Sequence, residues 1–186
     1  MLSAQQALDR LEEGNRRFVV DARDGVPDDA RSRRSELVGG QEPFAIILGC
    51  SDSRVPAEIV FDQGLGDLFV IRVAGNVVAP SLVGSVEYAA AQCGTRLVVV
   101  MGHSGCGAVL ATLDQLERPS ETRSPNLASI VERIRPSVEP LLETELRGDR
   151  DALVARAVRA NVRTSADHLR HGSRILEELM ETDGLR

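Results

Sequence analysis

The chain of 186 residues has no tryptophan, no lysine, one tyrosine and three cysteines. The absence of lysine excludes Schiff-base catalysis through a lysine amine, and every one of the 22 basic residues is arginine. Against them stand 28 acidic residues, a net charge of −6, so the basic face that a nucleic-acid backbone demands is missing. An odd, small number of cysteines argues against a disulfide framework and fits a reducing compartment. Long apolar runs are missing too. The longest, Phe44–Leu48 and Leu97–Met101, fall far below the ~18 residues of a membrane helix. The first residues, MLSAQQALDRLEEGNRRF, carry charges every few positions and lack the apolar core of a secretory signal. These absences predict a cytoplasmic protein with neither a membrane nor a nucleic acid as partner.

What is present is ordinary globular composition, 42% hydrophobic and 27% charged. A chain of this length buries roughly 70% of its unfolded surface, enough for one core without a stapling metal. The sequence therefore predicts a single domain over residues 1–186. Within it, residues 1–40 read as a helical arm, 41–117 as an α/β core and 118–186 as a helical part.

Leu8, Leu11 and Phe18 recur at helical spacing behind a capping Ser3, which predicts a helix over Leu2–Val20. A polar stretch, Asp21–Arg34, leads into a short helix near Arg31–Val38 that Gly39-Gly40 ends. Three continuous apolar runs follow: Phe44–Leu48, Leu68–Val73 and Leu97–Met101. Runs without polar alternation suit parallel strands covered on both faces. Helical stretches at Ser81–Cys93 and Ala108–Glu117 separate and follow them, so the fold class is α/β with a mainly parallel sheet flanked by helices. From Ser124 onward the pattern is helical, with interruptions expected at Pro136 and Pro140 and a last helix capped by Ser173.

Two strands run into reactive loops, Gly49-Cys50-Ser51-Asp52-Ser53-Arg54 and Gly102-His103-Ser104-Gly105-Cys106-Gly107. Sites in parallel α/β sheets gather at the carboxyl ends of strands, so these loops are expected to converge. Cys50, His103 and Cys106 then offer two thiolates and an imidazole, a donor set suited to Zn²⁺. Three protein ligands leave a fourth position open, the pattern of a catalytic centre. Asp52 and Arg54, two residues apart beside Cys50, can pair, which keeps the carboxylate ionised and oriented. Cys93 reads as a core residue of its helix, and His168 and His171 as surface histidines.

The pair C-S-D-S-R-V and G-H-S-G-C-G-A resembles the β-class carbonic anhydrases. So do A-L-x-x-L-x-E-G-N-x-R-F, G-Q-x-P, D-Q-G-L-G-D-L-F-V-I-R-V-A-G-N and E-Y-A along the chain. The resemblance implies one Zn²⁺ per chain on Cys50, His103 and Cys106, and a dyad of Asp52 with Arg54. It implies reversible hydration of carbon dioxide to bicarbonate and a proton by zinc-bound hydroxide. It also implies a homodimer or higher homo-oligomer, with Gln41, Phe69 and Tyr88 lining a substrate pocket at the interface. Asp52 either orients the zinc-bound hydroxide or swings onto the metal and closes the site; both remain open at this point. Some members carry a bicarbonate lock that needs a Trp where this chain has Ile47, so Arg72 is expected to have no such use. Members of the family carry a further sheet strand after the last helix, and the fold is expected to lack it here, because the sequence stops at Asp183–Arg186 where that strand would begin. Hydrolysis of carbon disulfide or carbonyl sulfide, a metal-free thiol hydrolase using Cys106 and His103, and a zinc-binding module without catalysis are the competing readings.

Overall fold

The computed structural model describes residues 1–20, 30–119 and 124–186. Most of the polar stretch after the first helix, residues 21–29, lies outside the described residues.

Three parallel strands form the sheet in the order β2-β1-β3: β1 (Ala45–Cys50), β2 (Leu68–Val73) and β3 (Val98–Met101). All six residues of β1 are buried, as expected for a central strand with neighbours on both edges and helices on both faces. Successive side chains alternate between those faces. Ala45 and Ile47 pack with Ala4, Ala7 and Leu11 of α1 (Ala4–Val19). Ile46 and Leu48 pack with Val86, Ala89 and Ala90 of α4 (Pro80–Gln92), Leu169 of α7 (Arg150–His171) and Leu176 of α8 (Arg174–Thr182). The expected fold class is the observed one.

The strand ends differ instructively from the sequence reading. The first strand was expected to end at Leu48, but Gly49 and Cys50 continue the ladder, opposite Arg72 and Val73. Cys50 is thus fixed by strand pairing rather than by a loop. The sequence reading also missed α3 (Ala57–Val60) and the tight turn Ala74–Asn76 after β2, both too short to show a period. Cys93 is a partly buried C-terminal cap of α4 rather than a core residue. Pro136 does not interrupt α6 (Pro125–Val138); it falls in the last turn, and the chain tightens to a 3-10 helix at Glu139–Glu143. The remaining α-helices among the described residues are α2 (Ala30–Glu36) and α5 (Gly107–Glu117).

Ser3 caps α1 with a reciprocal capping box to Gln6. Ser173 caps α8, and its hydroxyl also donates to Glu87 Oε1 of α4 at 2.5 Å. Ser173→Ala removes both contacts and is expected to cost about 2 kcal/mol, one part cap and one part buried hydrogen bond. Thermal unfolding checks it; an unchanged Tm refutes it.

At the far edge of the sheet, Arg186 makes one parallel rung on β3. Its N–H donates to the Arg96 carbonyl at 3.0 Å, and its carbonyl accepts from Val98 N–H at 2.8 Å. No helix of the described residues is long and apolar enough to cross a membrane.

Candidate metal centre

Because all three strands point the same way, their carboxyl ends present one edge. Cys50 closes β1, the turn Ala74–Asn76 follows β2, and the loop Gly102–Cys106 follows β3. Gly105 takes a left-handed conformation (φ 63°), which lets His103 and Cys106 return to the same point within three residues. Cys106 then serves as N-cap of α5. Beneath this edge lies an apolar cluster built by Val109, Leu113, Ile134, Val138, Leu153 and Ala157.

The donor atoms of Cys50, His103 and Cys106 all lie within 4.8 Å of one another, and all three residues are buried at this point. Cys50 Sγ and Cys106 Sγ are 4.0 Å apart. Two sulfurs on one tetrahedral Zn²⁺ at ~2.3 Å each sit about 3.8 Å apart, so the pair is already at ligand spacing. His103 Nδ1 lies 3.0 Å from the Ser104 carbonyl. A carbonyl only accepts, so Nδ1 carries the hydrogen and Nε2 keeps its lone pair. Nε2 is buried without any hydrogen-bond partner. A buried orphan acceptor between two thiols is costly unless something electrophilic fills the gap. Burial pushes the Cys106 thiol up, against the opposing pull of the Val109 and Ala108 amides. A metal that converts both thiols to thiolates makes the cluster electrically neutral. The residues fit Zn²⁺.

Asp52 stands beside this cluster, its Oδ2 3.7 Å from His103 Nε2. Arg54 grips it through Nε to Oδ1 and an Nη2 to Oδ2, both at 2.8 Å, and through its backbone N–H to Oδ1 at 3.0 Å. These hydrogen bonds, the side-chain ones foremost, hold the Asp52 carboxyl well below the usual carboxylate range. The Arg54 side chain is 65% exposed, so the pair adds little to stability and its consequence is orientation. Both carboxylate oxygens are thus engaged by Arg54.

Arg72 is a residue whose use the sequence reading did not foresee. Its Nε donates to the Cys50 carbonyl at 3.0 Å and an Nη2 to the Asp52 carbonyl at 2.5 Å, bracing the loop that carries both side chains. A lone arginine within the apolar run LFVIRV was the available signal. Ile47 is fully buried in the core.

Gln41, Phe69 and Tyr88 are not brought to this cluster within the chain. Gln41 precedes the amino end of β1, and β1 alone separates Ala45 from Cys50 by roughly 17 Å. Phe69 sits opposite Ile46, four residues before Val73, the register partner of Cys50. Its ring packs against Tyr88 with centroids 6.2 Å apart, and Tyr88 is 55% exposed. His168 and His171 are exposed, as expected.

A parallel sheet that gathers a Cys-His-Cys cluster at its carboxyl edge defines an α/β protein with a candidate metal centre. A sequence model of the carbonic anhydrase family matches residues 45–186, and the chain belongs to that family, in its β class. It is 48% identical over 128 residues to a carbonic anhydrase of Mycolicibacterium smegmatis, covering 69% of this chain and 61% of the relative. It is 46% identical over 143 residues to carbonic anhydrase 2 of Mycobacterium tuberculosis, covering 77% and 65%. The chain thus spans less than two thirds of the length of these relatives. Among solved structures, the β-carbonic anhydrase CcaA superposes with a TM-score of 0.76 at 27% identity, covering 97% of this chain and 80% of that one. The β-carbonic anhydrase CafA of Aspergillus fumigatus superposes with a TM-score of 0.73 at 29% identity, covering 84% and 75%.

Proposed function

We propose that this protein reversibly hydrates carbon dioxide to bicarbonate and a proton at a Zn²⁺ held by Cys50, His103 and Cys106. The observation that carries the reading is the buried, unpartnered His103 Nε2 facing two thiols at ligand spacing. A bound zinc supplies Lewis acidity that brings the pKa of a coordinated water near neutrality. The chain's own residues do the rest. Asp52, held ionised, can only accept a hydrogen bond, so it orients an O–H donor beside the metal position and leaves a lone pair directed at the substrate. Arg54 keeps both carboxylate oxygens occupied and so favours the open form over one in which Asp52 ligates the metal.

The apolar side of the pocket is assigned to a partner chain. Exposed Tyr88, with Phe69 behind it, and exposed Gln41 lie at the opposite end of the sheet from their own cluster. In a homodimer or higher homo-oligomer they would complete the neighbour's site. Other members of the family form tetramers, as the two enzymes of Sordaria macrospora do. Three free cysteines, two of them read as ligands, suit the reducing cytoplasm.

Metal analysis of the purified protein is expected to give one zinc per chain, and stopped-flow assays to show carbon dioxide hydration. Asp52→Asn is expected to keep the zinc while kcat/KM falls roughly 10- to 100-fold, the usual effect of losing an orienting partner. A zinc-loaded protein without hydration, or hydration without zinc, refutes the proposal.

A further inference from the structure

The helix α7 buries a stripe at four-residue spacing: Leu153, Ala157, Asn161, Ser165 and Leu169. Two polar side chains in the middle of an apolar stripe are unfavourable unless satisfied, and the structure shows what satisfies them. Asn161 Nδ2 donates to the Gly75 carbonyl at 2.7 Å, and Ser165 Oγ donates to the Asn76 carbonyl at 2.9 Å. Both carbonyls belong to the turn after β2, in which Gly75 (φ 70°) and Asn76 (φ 44°) are successive left-handed residues. Asn76 is one of two non-glycine residues with positive φ among those described. Such a turn needs outside support, and α7 gives it two hydrogen bonds. The one donor the turn aims at the site is Gly75 N–H, which meets Cys50 Sγ at 3.3 Å.

We infer that Asn161, seconded by Ser165, is a positioning residue that aims the Gly75 amide at the Cys50 sulfur and thereby sets how much charge that thiolate donates to the metal. The inference rests on the reading of Cys50 as a zinc thiolate. An N–H···S hydrogen bond withdraws charge from sulfur, and partners of this kind tune metal affinity and the reactivity of the bound ion. The link is mechanical. Fixing the Gly75 and Asn76 carbonyls fixes the two peptide planes after Gly75, and with them the direction of its own N–H. Alanine at Gly75 would place a Cβ 2.8 Å from Ile134 Cδ1 and 3.0 Å from Ala108 Cβ, so the turn is also boxed in on its open side. Asn161 is 86 residues from the carbonyl it holds and 1% exposed, so nothing in its local sequence announces this use.

The test uses the whole chain loaded with Zn²⁺, Co²⁺ or ¹¹³Cd²⁺, native and with Asn161→Leu, Asn161→Ser or Ser165→Ala. In the native ¹¹³Cd protein, the Gly75 amide proton is expected to show scalar coupling to the metal through the Cys50 sulfur. In Asn161→Leu that coupling should vanish, the sulfur-to-cobalt charge-transfer band should move to longer wavelength, and zinc affinity should fall roughly 10- to 100-fold. Ser165→Ala should shift all three in the same direction by less. Asn161→Ser keeps a donor and serves where the leucine variant does not fold. A lowered Tm with coupling, band and affinity unchanged would reduce Asn161 to a structural role and overturn the inference. So would an absent coupling in the native protein. If the native chain takes up no metal at Cys50, the underlying reading of the site fails instead.

Discussion

Cys106→Ala is expected to fold, to lose its zinc, and to hydrate carbon dioxide no faster than buffer. The two costs differ greatly in size. Cys106 is small and 1% exposed, so its loss leaves a minor gap in the cluster with Val109 and Leu113, worth about 1–2 kcal/mol. As a proposed ligand it would be one of three, and the zinc free energy at such thiolate sites is on the order of 10 kcal/mol. With only Cys50 and His103 remaining, affinity should fall by far more than the ~100-fold typical of losing an outer partner. Competition with a chromophoric chelator measures the affinity, and stopped-flow measures the rate. Cys93→Ala is the matched control: Cys93 caps α4 away from the cluster, and its zinc content and rate should match the native protein. A Cys106→Ala protein that keeps one zinc and its rate would overturn the ligand assignment.

Gly14→Ala should destabilise the protein despite placing a better helix former inside α1. Alanine is favoured over glycine in a helix interior by about 1 kcal/mol. Here, however, the added Cβ would lie 1.8 Å from the Phe61 carbonyl oxygen and 2.8 Å from its carbon. Both are backbone atoms just beyond α3, and no rotamer change relieves the clash. The helix must lift, which strains the Asn15 Nδ2 bond to the Val60 carbonyl at 2.9 Å and the Arg17 Nε bond to Asp62 at 2.6 Å. It also loosens Ala7 and Leu11, each 1% exposed. Overpacking of this kind costs about 1–3 kcal/mol before those bonds are counted, so the clash outweighs the propensity gain. A net loss of about 2–3 kcal/mol corresponds to a Tm lower by roughly 5–10 °C at this chain length. A higher Tm would mean that α1 packs elsewhere.

The same glycine shows where the sequence was legible and where it was not. E-G-N could be read at residues 13–15 as part of a resemblance, yet its reason lies 47 residues on, at Phe61. The three strands were visible because a parallel sheet covered on both faces writes itself as continuous apolar runs. The clustered donors Cys50, His103 and Cys106 were visible because each stands at the carboxyl end of such a run or just beyond it. Arg72, Gly75 and Asn161 were not, because their contacts join backbone carbonyls to distant side chains and leave no periodic trace. The end of β1 was misjudged for a related reason: glycine and cysteine resemble a loop until their pairing with Arg72 and Val73 is known.

The single rung that Arg186 adds to β3 should be readable in deuterium exchange. Ile46 N–H donates to the Leu97 carbonyl, so odd-numbered residues of β3 face β1 and even-numbered ones face outward. Val98 and Val100 therefore offer amides to the same edge, where Val98 meets the Arg186 carbonyl. The Val99 amide should exchange slowest, sharing the lifetime of the whole sheet. Val98 should exchange at the rate at which the Arg186 rung opens. Two neighbouring valines would then report two separate opening events, a local clock for the edge of the sheet.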